Sequence, residues 1–345
     1  MMTTLYEIRE KIKNYYGKYD IYITTALKFL FGLMCFFMIN SKIGFMGKLN
    51  NFAVPVMLSL LCSFLPINCM VIFAVLIIVL HLFALSMEVA AVAAALFLVM
   101  LFVYFVMAPR HGYLLLLTPL LFALKIPYAV PLIMGLMGTP ICVVPVSCGV
   151  VAYYVIRFAN VNAATFSNAV SDNMGDRVKF MLEYMLTNKE MMLTIAAFAV
   201  VLCIVYILRR TSMDYAWYIA IGSGALTNVL LFLIGDFALD ISSSILGLLL
   251  GTVVSVLLAF LVQFFVFSVD YTGTWKVQFE DDDFYYYVKA VPKIKISVPD
   301  KQVKEIHRHS QGEHRPRKSS PENRRTRPDR AGRPEGRTRT RRPKE

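Results

Sequence analysis

The residues of this sequence most able to do chemistry are ionisable side chains inside or beside long apolar stretches. They are Lys125, His81, Glu88 and Lys28. Because an ionisable group in hydrocarbon is costly unless water or a partner compensates it, such residues commonly line a solute path or couple transport to protons. Lys28 lies early in its stretch, where its long side chain can reach the lipid headgroups. The first three are therefore the candidate residues for a solute path.

Lys125 is the strongest of these candidates because of its surroundings. It lies two residues before Pro127, between the apolar segments 114–124 and 128–137. Each segment covers about half a bilayer as a helix, and discontinuous helices with a charged residue at their break are typical of substrate sites in transporters. We therefore predict that Lys125 contacts a solute at mid-depth. The alternative is that the break penetrates little, or that the lysine extends into an aqueous cavity.

His81 and Glu88 are seven residues apart in an apolar region. In a single helix this spacing places both side chains on one face, separated by about 10 Å along the axis. A proton relay can use such a pair. The alternative is structural: Glu88 lies in water at the outer end of the helix, and His81 forms a hydrogen bond with a neighbouring helix carbonyl.

The sequence contains none of the common catalytic or nucleotide-binding motifs. A GxxxxGK phosphate-binding loop, a GxSxG nucleophile turn and an HExxH zinc helix are all absent. The six cysteines form no CxxC pair, and the acidic run at 280–283 lacks the spacing of a calcium loop. We therefore expect no cofactor and no metal. ATP-driven work would need a separate ATPase chain.

The elements that would position these residues are eight apolar stretches, most of them long enough to cross a bilayer. They cover residues 22–40, 51–65, 67–87, 89–108, 140–159, 191–208, 215–235 and 241–269. About 20 apolar residues in a helix match a hydrocarbon core of about 30 Å. The region 112–138 is interrupted by Pro119, Pro127, Pro131, Gly135 and Gly138. We predict an all-α polytopic membrane protein of about eight transmembrane helices plus a re-entrant helical hairpin at 112–138.

Positive charge predicts how the bundle is oriented. The amphipathic N-terminal segment 1–21, Arg110, the arginine pair at 209–210 and the basic tail share one face if the hairpin returns to the face it entered from. Since basic loops favour the cytoplasm, we expect a multi-pass protein of a bacterial cytoplasmic membrane with both termini cytoplasmic. The other face receives the external loop 160–190, in which residues 178, 181, 182 and 185 form the apolar stripe of an amphipathic helix.

Beyond the last apolar stretch, the pattern changes from helical to alternating. Segment 270–298 contains Trp275 and Phe279 in one alternating run and a tyrosine-rich second run. The tyrosines are Tyr285, Tyr286 and Tyr287. This period of two predicts a small cytoplasmic β-hairpin, which can dock a partner protein.

The segment 299–345 is the source of the high net charge. From Lys301 to Glu345 there are 16 Lys and Arg against 6 Asp and Glu, a surplus of 10 within a net charge of +12. It has almost nothing apolar to bury, so we expect a disordered Arg-rich tail. The tail favours an anionic lipid surface or an acidic protein over nucleic acid, because it is tethered to the membrane and lacks aromatic residues for base stacking.

Five short segments carry a resemblance to a known family. They are residues 125–128 (KIPY), 135–140 (GLMGTP), 214–217 (DYAW), 277–282 (VQFEDD) and 285–293 (YYYVKAVPK). Together they resemble a family of multi-spanning membrane proteins from Clostridia-type Firmicutes, whose members are commonly called hypothetical proteins or transporter permeases. The resemblance covers roughly residues 1–298, and the long Arg-rich tail departs from it. It implies a permease-like fold and carries over no site residue.

These observations favour a permease-like membrane component that moves a small solute or forms the membrane part of a multi-protein system. Lys125 would line the solute path, with His81 and Glu88 as candidates for proton coupling. The first alternative is a non-transporting scaffold that recruits a cytoplasmic partner through the tyrosine-rich segment. The second alternative is a membrane-embedded enzyme of the cell envelope.

Overall fold

The computed structural model describes residues 2–168, 174–241, 244–266, 275–280 and 285–290. Its helices are α1 Met2–Lys18, α2 Asp20–Ile43, α3 Ala53–Phe64, α4 Ile67–Leu85, α5 Met87–Met107, α6 Gly112–Ala123, α7 Ala129–Met137, α8 Val143–Val161, α9 Ala163–Asn168, α10 Met174–Thr187, α11 Lys189–Arg209, α12 Ala216–Leu239 and α13 Ile245–Val266. Two strands come after them, β1 Trp275–Glu280 and β2 Tyr285–Ala290. All described residues belong to one compact unit, Met1–Ile296.

Seven helical segments in the described part of the chain are long and apolar enough to cross a membrane. They are Asp20–Ile43, Ile67–Leu85, Met87–Met107, Pro140–Val161, Arg177–Arg209, Ala216–Leu239 and Ile245–Val266. The chain is therefore an all-α polytopic membrane protein, as its hydropathy predicts. The stretch expected at 51–65 forms α3, which has 12 residues. That length corresponds to about 18 Å of helix, less than the thickness of a hydrocarbon core.

Polar contacts between helix termini define the two ends of the bundle. At one end, Arg9 of α1 donates to the carbonyl of Phe264 near the end of α13, and it lines a cavity with Arg209 from the end of α11. We call this end 1. At the opposite end of α11, Glu190 pairs with Arg157 of α8. We call this end 2.

The short helices α6 and α7 form a hairpin that starts and finishes near end 1. Helix α6 begins at Gly112, beside Tyr104 in the last turn of α5, and α7 is followed by Gly138, whose carbonyl accepts a hydrogen bond from Arg209. The turn between them lies beside the C-terminal ends of α2 and α8, near end 2. The carbonyl of Lys125 in this turn lies beside Gly251, the seventh residue of α13. The depth of Lys125 in the membrane stays a prediction.

Glycines allow this hairpin to pack closely against its neighbours. A Cβ on Gly135 of α7 would lie 2.6 Å from the Cβ of Val205 in α11. A Cβ on Gly149 of α8 would lie 2.6 Å from the Cβ of Thr118 in α6. Both separations are shorter than atoms tolerate, so these helix pairs approach at distances that only glycine permits.

A break at Ser86 divides the region that the sequence suggested was one helical face. Helix α4 ends at Leu85, Ser86 is extended (φ −160°, ψ 133°), and α5 begins at Met87. His81 therefore lies near the end of α4, whereas Glu88 lies in the first turn of α5. The prediction that the two share one face of a single helix is wrong. The Ser86 hydroxyl donates to the Glu88 carboxylate and so stabilises the turn between two packed helices.

Helix α10 packs against α5 at end 2. Met181 and Met185 are buried, as the apolar stripe predicts, but Leu182 is 46% exposed. Arg177 Nη1 lies 3.7 Å from Glu88 Oε2, and both side chains are mostly buried. The amphipathic helix is thus held both by its apolar face and by an ion pair.

Strands β1 and β2 pair antiparallel, with Trp275 opposite Ala290 and Glu280 opposite Tyr285. They lie where the alternating sequence pattern predicts strands. The turn residues 281–284 and the predicted tail 299–345 lie outside the described residues.

Candidate functional site

A cavity of about 250 Å³ opens at end 2, at the turn of the α6–α7 hairpin. Three basic side chains from three different elements line it: Lys42 at the end of α2, Lys125 in the turn, and Arg157 in the last turns of α8. The described residues that line it include no aspartate or glutamate. We call it the cationic cavity. Its positive charge is of the sign that attracts small anions.

Lys125 adopts a backbone conformation that normally belongs to glycine. Its φ is +62°, in the left-handed region. The amide of Lys125 donates to the carbonyl of Phe122, and the amide of Ile126 donates to that of Leu121, both at 3.0 Å. These two bonds form a Schellman motif that ends α6, with Lys125 at the position where glycine is most common. A side chain here costs about 1 kcal/mol of backbone strain relative to glycine.

The lysines of the cationic cavity have no polar partner in the described part of the chain. Lys42 and Lys125 are both exposed, and neither ammonium group forms a hydrogen bond or ion pair with a described residue. Arg157 differs from them. Its Nη1 donates to both carboxylate oxygens of Glu190, at 2.7 and 2.8 Å, and its guanidinium lies 5.7 Å from the ring of Tyr154. Glu190 therefore balances one of the three positive charges, and the two lysines supply the excess.

The floor of the cationic cavity is apolar. Met38, Pro119 and Ile156 line both this cavity and a smaller one of about 20 Å³, which has only apolar lining. A void of that size without polar partners stays dry. Pro119 lies inside α6 and has no amide hydrogen, so it removes one helical hydrogen bond at this floor. Packed apolar residues therefore separate the cationic cavity from end 1. The missing hydrogen bond of α6 lies beside these residues.

His81 is fully buried and has a partner at each ring nitrogen. The amide of Met46 donates to Nδ1 at 3.2 Å, so Nδ1 is an acceptor and the ring proton is on Nε2. Nε2 in turn donates to Asn40 Oδ1 at 2.9 Å. The partners of Glu88 are Ser86 and Arg177. The structure does not bring His81 and Glu88 together, and the neutral histidine joins α4 to α2 and to the loop after it.

The candidate docking residues lie on the two paired strands. Tyr286 stands opposite Phe279, and Tyr285 stands opposite Glu280. Tyr286 is 39% exposed and Tyr287 is 75% exposed. The side chains of Trp275, Phe279 and Tyr285 lie outside what the structure describes. Tyr286 and Tyr287 lie on opposite faces of β2, so the strand offers aromatic surface to solvent on both faces.

Sequence reasoning missed two of the three basic residues of the cationic cavity. Arg157 lies within the predicted stretch 140–159, so the same argument from intramembrane charge that selected Lys125 could have found it. Lys42 lies just beyond the stretch 22–40, and no local signal connects it with Lys125. Only the packing of α2 and α8 around the hairpin turn brings the three together.

No family model, no curated protein and no solved structure matches this chain. The resemblance to the clostridial membrane protein family stays a prediction. We therefore infer function from the geometry of the sites.

Proposed function

We propose that this protein is a permease-like membrane component that binds a small anionic solute in the cationic cavity and moves it across the membrane. The observation that carries the proposal is the convergence of Lys42, Lys125 and Arg157 around one cavity without an acidic lining residue among those described. Carboxylate, phosphate and sulfate groups are the anions that lysine and arginine bind in proteins. A cavity of about 250 Å³ fits a small solute of this class.

Two lysines without polar partners support binding rather than a structural role. A cation that holds a fold together usually contacts a carbonyl or a carboxylate, as Arg157 does with Glu190. Lys42 and Lys125 have no such contact among the described residues, and Lys125 retains a side chain in a left-handed turn. An incoming anion would supply the missing partner for both ammonium groups.

The proposed orientation places end 1 in the cytoplasm and end 2 outside the cell. Arg9, Arg209 and Arg210 lie at end 1, and basic segments favour the cytoplasmic side. In this arrangement both termini are cytoplasmic, α6 and α7 form a re-entrant hairpin from the cytoplasmic side, and the cationic cavity opens outward. A cysteine-free variant carrying Arg210→Cys should react with an impermeant maleimide only after the membrane is opened, whereas one carrying Lys48→Cys should react in intact cells. The reverse pattern would refute the orientation.

Movement of the solute requires the apolar floor of the cavity to open. Pro119 interrupts the hydrogen bonds of α6 at that floor, and Gly149 of α8 packs against the same turn. Bending of α6 at Pro119 would carry the hairpin turn and Lys125 away from α2 and α8. Discontinuous helices form the substrate sites of many secondary transporters.

The test is anion uptake into proteoliposomes that contain the purified full-length chain. Labelled phosphate, sulfate and a short carboxylate are supplied one at a time to wild type, Lys42→Ala, Lys125→Ala and Lys48→Ala. Lys48 is an exposed lysine in the turn after α2 and does not line the cavity, so it is the matched control. We expect at least one anion to enter through wild type and the control, and a loss of about tenfold or more in the other two variants. Equal uptake by all four proteins would refute the proposal.

A second candidate function, a scaffold that recruits a cytoplasmic protein, is favoured by the exposed tyrosines of β2. Tyr287 is 75% exposed, and a two-stranded hairpin is at best marginally stable alone. A partner strand added to its edge would stabilise it. Deleting residues 271–298 should then remove a co-purifying cytoplasmic protein, such as an ATPase, while the bundle still inserts. Recovery of the same partners with the deleted chain would exclude docking there.

A further inference from the structure

A second and larger cavity, of about 720 Å³, lies at end 1. It is bordered by α1, the end of α11, the start of α12 and the end of α13. It lies at the C-terminal end of α11, whereas Arg157 of the cationic cavity contacts Glu190 at the N-terminal end of this 21-residue helix, which is about 31 Å long. We call it the end-1 cavity. The two cavities share no described lining residue, so ligand binding at end 1 does not depend on the proposed anion transport.

Gln263 places a buried hydrogen-bond acceptor in the end-1 cavity. Its side chain lines the cavity and is 6% exposed, yet Oε1 accepts no hydrogen bond from the residues that the structure describes. Buried polar atoms in proteins almost always have a partner. A carbonyl oxygen can only accept, so the missing partner is a donor such as a hydroxyl group.

Two guanidinium groups line the same cavity. Arg9 is 4% exposed, donates to the carbonyl of Phe264 at 3.3 Å and lies 5.6 Å from the centre of its ring. Arg209 donates to the carbonyl of Gly138 at 2.7 Å through one of its five N–H groups. Asp214 also lines the cavity, so the formal charges of the described lining residues sum to one positive unit. This charge fits a phosphodiester, which carries one negative charge and is well recognised by arginine.

The wall of the end-1 cavity is aromatic and lies at the level of the helix ends. Trp217, Tyr218 and Phe260 line it, and the rings of Tyr218 and Phe260 are 5.9 Å apart. Tyr218 is 54% exposed and Phe260 is 39% exposed. Aromatic side chains at the ends of membrane helices lie at the depth of the lipid headgroups. A ligand with a polar head and apolar chains fits such a wall better than a wholly water-soluble one.

We propose that the end-1 cavity binds the head group of an anionic glycerophospholipid of the phosphatidylglycerol type. Its phosphodiester contacts Arg9 and Arg209, and a hydroxyl of its glycerol head donates to Gln263 Oε1. Its acyl chains leave past Tyr218 and Phe260 into the bilayer. The same phosphate and hydroxyl groups also occur in soluble glycerol 3-phosphate, which the experiment separates from the lipid.

The test uses Trp217 as a reporter in the detergent-solubilised full-length chain. The sequence has two tryptophans, and Trp275→Phe leaves Trp217 alone in the cavity wall. Lipids with brominated acyl chains quench its fluorescence when they bind. Three head groups are compared: phosphatidylglycerol, phosphatidylmethanol and phosphatidylcholine. Phosphatidylmethanol has the same charge as phosphatidylglycerol but no hydroxyl, so the difference in affinity between these two lipids measures the hydrogen bond to Gln263. Phosphatidylcholine has no net charge, so its affinity shows how much the negative charge contributes to binding.

We expect phosphatidylglycerol to bind about tenfold more tightly than phosphatidylmethanol, and phosphatidylcholine to bind most weakly. In Gln263→Leu the first two lipids should bind equally, because the acceptor is gone. In Gln263→Glu both should bind more weakly, because a carboxylate repels the phosphate. Without lipid, Gln263→Leu should unfold at the same temperature as wild type or higher, which shows that lost binding is not lost folding.

Three results would overturn the proposal. One is an unchanged preference for phosphatidylglycerol in Gln263→Leu. Another is equal binding of all three lipids by wild type. The third is displacement of the lipid by glycerol 3-phosphate as readily as by short-chain phosphatidylglycerol, which would assign the cavity to a soluble phosphate ester.

Discussion

Replacing Lys125 by glycine is expected to leave the protein at least as stable as wild type while removing anion transport. The left-handed backbone of Lys125, at φ +62°, is strained by its Cβ, and glycine removes that strain. Against this gain of about 1 kcal/mol stands the greater freedom of glycine in the unfolded chain, so the net change is about 0 to 1 kcal/mol in favour of folding. The side chain is exposed, so little packing is lost.

Lys125→Ala and Lys125→Arg complete this experiment. Alanine removes the charge but keeps the Cβ, so after the same offset from glycine's freedom in the unfolded chain the alanine variant should be about 0 to 1 kcal/mol less stable than the glycine variant and equally inactive. Arginine keeps both charge and Cβ, and it should retain most of the uptake. The apparent unfolding temperature of all variants is compared at one heating rate, since membrane proteins often unfold irreversibly. Anion uptake is measured in proteoliposomes from the same preparations.

The stability and uptake measurements test the strain and the solute path separately. Wild-type uptake by the glycine variant would remove Lys125 from the solute path, whatever its stability. A glycine variant less stable than the alanine variant would instead contradict the strain assigned to the Schellman turn. Because glycine is expected to raise stability while it abolishes uptake, loss of folding cannot explain the expected result.

Other contacts in the bundle and the charged tail give three further predictions. Gly135→Ala should destabilise the protein by about 1 to 3 kcal/mol, because the new Cβ would lie 2.6 Å from the Cβ of Val205. The control is Gly222→Ala, whose new Cβ would have no atom within 4 Å. In thermal unfolding this control should be as stable as wild type or more stable. Glu190→Gln should tighten anion binding several-fold, because Arg157 loses its counter-charge, and Arg157→Gln should weaken anion binding. The opposite order of affinities in an equilibrium binding assay would contradict this electrostatic explanation. Removing residues 299–345 should abolish salt-sensitive binding to anionic vesicles, and salt-independent binding by the full chain would exclude the charged tail as its cause.

The membrane spans could be predicted from the sequence because a helix in lipid must satisfy its backbone internally, which makes long apolar runs diagnostic. Helices α4 and α5 show which features of a span hydropathy can predict. Both were expected from charge-poor runs, and both are long and apolar enough to span a membrane. The break between them is expected at Glu88, between the stretches 67–87 and 89–108, and it lies two residues earlier, at Ser86. The residues Leu85-Ser86-Met87 contain no proline or glycine that would mark the exact position.

The candidate site could be predicted only in part, for a related reason. Pro127 and the interrupted apolar pattern located the turn at Lys125, but its left-handed backbone could not be expected where a lysine replaces the usual glycine. Lys42 and Arg157 reach the site through the packing of α2 and α8, which no local pattern encodes. His81 shows the opposite error. Its position in an apolar run suggested chemistry, whereas Met46 and Asn40 occupy both of its ring nitrogens.

The basic residues at the two ends of the bundle can be separated by what their side chains contact. Arg209 donates to a backbone carbonyl at the end of a helix, and Arg157 is balanced by a carboxylate, so part of the role of each is structural. Lys125 contacts neither kind of partner among the described residues, and its backbone would be less strained as glycine. Folding alone would therefore favour glycine at this position. The charge of Lys125 is therefore not needed for these contacts, and we expect the proposed anion site to depend on Lys125 more than on Arg157.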